Sequence, residues 1–337
     1  MSYKRLEQGD FVVSSDAVAS PMWSNNIYTL TSFFTSSVQE SSNSGLYYLN
    51  VYDTAATSSI QFAIAYGNLV GSGGAYFNSN TPGYTPTATI YGQFQNLILG
   101  DENTNFTFGS YISNEFWAII LDRNRYKESI LPGSLTLTIT NGSDAISLTD
   151  DSRLVSTVNF NEAGRVYQLI SGSVGVKTTV TGTTNTVDGY SFNSGSYGWL
   201  LPDIGVILLN PAALGGTTAG GGIGLGSNKT TNTNGNNNRR LEEKLTSFSL
   251  NSQETLTSNY IFIRPRTFEF NYSENPSFIS GSTGDIIYTS FINNPQTFIT
   301  TIGLYNDNSE LLATAKLSRP LLKDFTKEAL IRVKLDF

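Results

Sequence analysis

Three pairs of adjacent carboxylates are the residues best placed by type to do chemistry: Asp101 with Glu102, Asp150 with Asp151, and Glu242 with Glu243. Two carboxyls about 5–10 Å apart across a sugar cleft can cleave a glycosidic bond, one as acid and the other as nucleophile or base. Neighbours along a strand point to opposite faces, however, so adjacency predicts turn and surface residues rather than a working dyad. Gly224-Leu-Gly-Ser-Asn-Lys229-Thr230 has the outline of a phosphate-binding loop. That motif needs glycine immediately before the lysine, and here Asn228 stands there. Asn306-Asp-Asn-Ser-Glu310 offers the oxygen ligands that calcium prefers, without the spacing or central glycine of an EF-hand, and a hairpin turn accounts for it. Trp23, Trp117 and Trp199 are candidates for a sugar-stacking platform. The apolar run Phe116-Trp-Ala-Ile-Ile120 argues instead that Trp117 is buried.

What is missing narrows the chemistry further. The 337 residues include no His and no Cys. Triads that use imidazole or thiolate are excluded, as are ordinary zinc, haem and iron–sulfur ligation. No disulfide is possible, so the fold does not depend on an oxidising compartment. A net charge of −7 argues against a dedicated nucleic-acid binder. The expectation is a protein without enzymatic activity, cofactor or metal, and no catalytic, cofactor-binding or metal-binding residue is assigned.

The elements that would position any such residues read as β-structure. Charged residues make up only 14% of the chain, while 40 Ser, 38 Thr and 32 Asn supply about a third of it, together with 20 Phe and 18 Tyr. This polar, weakly charged, aromatic-rich composition suits strands. Residues 135–140 alternate apolar and polar with period two, and 47–52, 60–66, 116–121, 165–169, 260–264, 267–270 and 285–292 also read as strands. Asn141-Gly142 predicts a hairpin turn, because both residues accept positive φ. The apolar stretch 197–214 is broken by Pro202, Asp203, Asn210 and Pro211. It therefore predicts a buried strand pair with a turn at 201–203 rather than a membrane span. Helical periodicity is nearly absent; Asn238 is positioned to cap one short helix over 239–245. The first residues lack the apolar core of a leader, so synthesis in the cytosol without a membrane anchor is expected.

The fold expected is all-β, with an antiparallel β-sandwich region over residues 1–210, as one sandwich or two small modules. Residues 211–238, rich in Gly and Asn, read as a flexible arm or linker and set the domain boundary. A smaller β-sheet domain with one short helix follows over 239–337. There, 297–305, 310–318 and 329–337 are expected to join 285–292 in a four-stranded antiparallel unit. In the last strand Ile331, Val333, Leu335 and Phe337 are expected to face one way and Arg332, Lys334 and Asp336 the other, and as the final strand it is expected to present an edge open to another chain. Residues 311–337 carry a net charge of +3 and residues 1–310 a net of −10, so head-to-tail docking of copies is one reading and simple guarding of the edge another.

The run Ile299-Thr-Thr-Ile-Gly-Leu-Tyr-Asn-Asp-Asn-Ser-Glu-Leu-Leu-Ala-Thr-Ala-Lys-Leu-Ser318 and the closing Glu328-Ala-Leu-Ile-Arg-Val-Lys-Leu-Asp-Phe337 resemble the ends of virion structural proteins of T4-like tailed phages, particularly those of marine cyanobacteria. Tyr47-Tyr-Leu-Asn-Val-Tyr-Asp53, Gln61-Phe-Ala-Ile-Ala-Tyr-Gly67 and Ile90-Tyr-Gly-Gln-Phe-Gln-Asn-Leu-Ile-Leu-Gly-Asp101 resemble the same family. The likeness rests on β-scaffold residues, not on a catalytic signature. It implies a non-enzymatic particle component, assembled in the host cytoplasm and located in the virion, that joins subunits in the tail, baseplate or neck. The partners implied are copies of itself and other virion proteins, with a host glycan or receptor as a further option. The rival readings are a receptor- or glycan-binding tail tip or fibre, a capsid decoration protein, and a carboxylate-based polysaccharide depolymerase.

Overall fold

The computed structural model describes residues 3–35, 48–54, 58–74, 80, 85–178, 189–191, 194–229, 236–273 and 275–336. The chain forms two compact units, Val18–Glu254 and a second made of Met1–Ala17 with Thr255–Phe337. The all-β expectation holds, and the division of the chain departs from the expected boundary at 211–238. Ala213, Leu214, Ile223 and Leu225 are buried in the main core of the larger unit, so the described part of that segment is anchored there, with 217–219 exposed between the anchors.

The larger unit is built on one long antiparallel sheet. Its strands run in the order Thr29–Leu30, Leu245–Ser249, Thr136–Asn141, Asp144–Asp150, Gly164–Ser173, Gly198–Leu201, Val206–Leu209, Glu115–Leu121, Ile60–Asn68, Tyr48–Tyr52 and Phe34–Thr35. Twist accumulates over so many strands, and a sheet this wide must curl. Phe248, near one end of the order, stands 5.4 Å from Phe62, near the other, with Trp23 4.8 Å from Phe248. The sheet thus closes on itself like a sandwich. Leu137, Ile139, Leu148, Leu169, Leu200, Ile207, Trp117, Ile119 and Ile64 fill the interior.

The outer face is covered over part of its width. Phe116, Ala118, Trp199, Leu201, Val206 and Leu208 pack against Ile90, Tyr91, Ile98, Phe106 and Phe108. These come from the helix Pro86–Phe94, its wider continuation Gln95–Leu99 and the hairpin Phe106–Phe108 with Tyr111–Ser113. Strands covered on both faces need apolar residues at every position. That is why 116–121, 198–201 and 206–209 do not alternate, and why the 197–214 stretch is a buried strand pair as expected. The helix Pro86–Phe94 is not signalled by periodicity, because its Thr, Ile and Gly residues are weak helix formers. Thr85 before Pro86 is its only local start signal.

Several local expectations change. In the hairpin, Asn141 pairs with Asp144, so the turn is Gly142-Ser143 and only Gly142, at φ 68°, takes the left-handed conformation. The helix near 239–245 runs from Asn236 to Glu242, which puts Asn238 inside it and frees Leu245 to start a strand. Residues 267–270 form a turn instead of a strand: the Thr267 carbonyl accepts from Asn271 Nδ2 at 2.6 Å and from Lys323 Nζ at 2.9 Å, and so it is taken out of any ladder. In 285–292 the chain bends round Phe278, which meets Tyr288 and Phe291 at 5.6 and 5.4 Å, and Thr289–Asn293 is helical.

The smaller unit therefore lacks the four-stranded arrangement. Thr297–Tyr305 and Leu311–Lys323 form a two-stranded hairpin. Ile331–Asp336 pairs with Asn251–Ile263 instead, in a sheet ordered Phe11–Pro21, Asn251–Ile263, Ile331–Asp336. Its register sets Ile263 beside Ile331 and Ile261 beside Val333, which keeps the apolar side chains on one face. Phe62 touches Trp23, Phe33 and Phe248. Phe62→Ala is expected to cost about 3–5 kcal/mol of stability, as cavity-forming aromatic deletions do, measured as a fall in the urea midpoint.

Candidate functional site

The three carboxylate pairs are held in three different ways. Asp101 closes its own turn, accepting from Thr104 Oγ1 at 2.7 Å and from the Asn103 amide at 2.8 Å; these bonds hold its carboxyl below the ordinary range. Glu102 accepts from Asn96 at 2.8 Å. Glu242 is pushed up by burial and by Glu243 beside it. Asp150 and Asp151 differ from the surface residues expected, because both are buried. Asp150 receives the Gly133 amide at 2.8 and 3.0 Å, and Asp151 receives the Gln168 amide at 3.0 Å. They diverge into separate backbone cradles, as neighbours at a strand end must. Burial, with a smaller push from Asp150, raises the Asp151 carboxyl to about 6.

The glycine-rich run is a lock and not a phosphate cradle. Pro211–Gly215 is a short helix capped by Asn210, whose side chain accepts from the Ala212 amide. The chain then folds back on itself so closely that a Cβ on Gly222 would lie 2.2 Å from the Gly216 carbonyl oxygen, and one on Gly215 would lie 3.0 Å from the Gly226 Cα. The glycines permit backbone-to-backbone packing that any side chain would block. Lys229, the residue in the phosphate-lysine position, pairs with Glu115 at 3.0 Å. The same carboxylate accepts from Ser227 at 2.6 Å and from Tyr66 at 2.5 Å. Burial and Glu115 drive the Tyr66 phenol far above its usual range. Asn237 bridges the Gly73 and Asn228 carbonyls and takes the Asn228 amide at 2.7 Å. Thr230, like the rest of 230–235, lies outside the described residues.

The remaining candidates are structural. In 306–310 the Asn306 side chain accepts from the Glu310 amide at 2.8 Å and donates to the Glu310 carboxylate at 2.7 Å, which spends the oxygens on closing the hairpin. Among the described residues, no group of three or more Asp or Glu is placed to hold a metal ion. All three tryptophans are buried, Trp117 as expected, so they form no sugar platform. Among the described residues no helix is long and apolar enough to cross a membrane.

The surface of the smaller unit is a different matter. Among the described residues its buried apolar side chains number five, Ile261, Ile263, Phe291, Ile331 and Val333, against sixteen large apolar ones left exposed; the larger unit has 46 buried against 15. Its tightest internal point is polar: Lys323 is fully buried, and its ammonium donates to the Thr267 and Asp324 carbonyls and to Asn271 Oδ1, each at 2.9 Å. Phe11, Val13, Phe298, Leu312, Phe325 and Leu330 stand in solvent. Sequence reasoning located the open last strand but missed this imbalance, because exposure depends on which strands pair. Comparison with known proteins found no matching family model, curated protein or solved structure.

Asp151 makes stability depend on pH with a definite sign. Its folded carboxyl titrates near 6, while in the unfolded chain it returns to the ordinary aspartate range of about 4. The native chain thus holds a proton that the unfolded chain has lost, so this contribution falls as pH rises from about 4 to 6. Asp151→Asn keeps the acceptor for the Gln168 amide. Relative to the parent, it is expected to gain urea resistance progressively across that window; a pH-independent difference in midpoint would contradict this.

Proposed function

We propose that this protein is a structural component of a tailed-phage virion, joining subunits in the tail, baseplate or neck through β-rich interfaces. The observation that carries the reading is the smaller unit's inverted balance of apolar surface. A unit of this size with so few buried apolar residues gains little hydrophobic stabilisation alone. Its exposed apolar side chains are accounted for if other chains cover them in an assembly, as large exposed apolar areas commonly are. The resemblance of 299–318 and 328–337 to virion proteins falls in this same unit, and those residues supply the hairpin and the edge strand.

The larger unit supports a mechanical role. Its sheet is packed on the inner face and over part of the outer one, and its glycine-rich segment is pinned by Glu115, Lys229 and Asn237. A stiff body carrying an under-buried docking unit transmits load between neighbours without needing to move. The glycan-binding reading loses its tryptophan platform to burial, and the depolymerase reading loses its carboxylate pairs to separate cradles.

Mass spectrometry of gradient-purified particles should find the chain in a fixed ratio to the tail proteins, and a density map of the particle should place it at a subunit junction. Recovery of the chain only from the soluble lysate, with none in the particles, would overturn the reading.

A further inference from the structure

The sheet built on Asn251–Ile263, which also takes Ser129–Ile130 against Ser252 and Gln253, has among the described residues two open edges of opposite character. Among the described residues, Phe11–Pro21 and Ile331–Asp336 each have one strand neighbour, Asn251–Ile263 between them. Natural edge strands are commonly protected by charge, proline or a covering segment. Phe11–Pro21 is eleven residues long, is exposed along most of its length, begins Phe11-Val-Val-Ser-Ser15, and carries Asp16 as its only charge, with Asp10 just before it. Ile331–Asp336 carries Arg332, Lys334 and Asp336, a net positive charge.

The faces of the two edges match as well as their charges. Ser15 meets Thr257 at 3.5 Å, and so Phe11, Val13 and Ser15 share the face of Thr257, Ile261 and Ile263, the apolar face of the sheet. Ile331 and Val333 lie on that face too. Asp16 falls on the opposite face, where Arg332 and Lys334 lie over Tyr260 at 5.5 and 6.0 Å and Lys334 pairs with Asp336 of its own strand at 2.8 Å. Within one chain the middle strand keeps Asp16 and Lys334 two strand spacings apart, roughly 10 Å. In a second copy laid edge to edge they come onto adjacent strands.

We infer that copies of this chain join head to tail by strand addition, with Phe11–Pro21 of one copy pairing against Ile331–Asp336 of the next. This rests on the proposed assembly role and names its partner as a second copy. Three edge pairings are conceivable, and charge selects among them. Two Phe11–Pro21 edges would bring together acidic residues only, and two Ile331–Asp336 edges would double a net positive charge. The mixed pairing alone sets Asp16 against the Arg332 and Lys334 side of the neighbour's edge while Phe11 and Val13 stay on the same face as Ile331 and Val333. A mixed interface is heterologous and propagates, closing into a ring or extending as a filament.

The test uses the full chain in sedimentation velocity and native mass spectrometry, with circular dichroism confirming the fold of each variant. The parent should form species larger than dimers. One variant, Val13→Lys with Asp16→Lys, spoils the first edge; another, Arg332→Glu with Lys334→Glu, spoils the second. Each alone should associate at least tenfold more weakly. An equimolar mixture, in which the two substituted edges carry opposite charges, should associate more strongly than either variant alone. A chain carrying Asp16→Lys, Arg332→Glu and Lys334→Glu together restores opposite charges and should assemble again. The pairing is wrong if the second variant dimerises by itself, if both variants assemble like the parent, or if the parent stays monomeric. A parent that is monomeric in solution yet present in purified particles sinks the strand pairing and leaves the particle role standing. A chain that polymerises through these edges but is missing from particles does the reverse.

Discussion

Closure of the long sheet on itself is the constraint on which the larger unit depends. A single antiparallel sheet has two faces, and a chain without disulfides must bury them by packing. Bringing Phe248 against Phe62 and Trp23 converts one face into a closed interior. The other face is then on the outside and needs its own cover, which the helix at Pro86–Phe94 and the hairpin after it provide. Continuous apolar strands, large aromatics and the scarcity of charge in the middle of the chain all follow from this double burial.

The glycine-rich segment shows how composition misleads when it is read without contacts. A run of Gly, Thr and Ala has the makeup of a tether because it has few side chains to pack. Here the backbone itself packs: Gly215 lies against Gly226 and Gly216 against Gly222, with Ile223 and Leu225 anchored in the core. The polar groups of its far end are gathered by Glu115, a buried carboxylate inside an otherwise apolar strand that is satisfied by Tyr66, Ser227 and Lys229. A buried charge of this kind is tolerable only with full pairing. The pairing fixes the segment's position.

Assembly and stability are linked in the smaller unit. The hairpin lays Ile299, Ile302 and Leu317 against Ile261, Ile263, Ile331 and Val333 of the sheet, a core too small to add much stability by burial. Lys323 compensates locally by tying Thr267, Asn271 and Asp324 to the end of the hairpin. Such a centre sets geometry but adds little hydrophobic energy. The remaining stabilisation has to come from covered apolar surface, and in the assembly proposed here subunit contacts provide it.

The sequence by itself determined the all-β class, most strand positions in the larger unit, the hairpin at 141–144 and the burial of Trp117. These depend on alternation, turn residues and local apolar density, which a single segment carries within itself. Only the tertiary structure decided that 211–229 is anchored in the core, that 267–270 and 285–292 leave the strand state, and that Ile331–Asp336 pairs with Asn251–Ile263 and not with the hairpin beside it in sequence. Each of those outcomes depends on a distant partner: a facing glycine, a lysine more than fifty residues away, an apolar register on another strand. Backbone groups and apolar faces accept many such partners with similar energy, and close packing of the whole chain selects one.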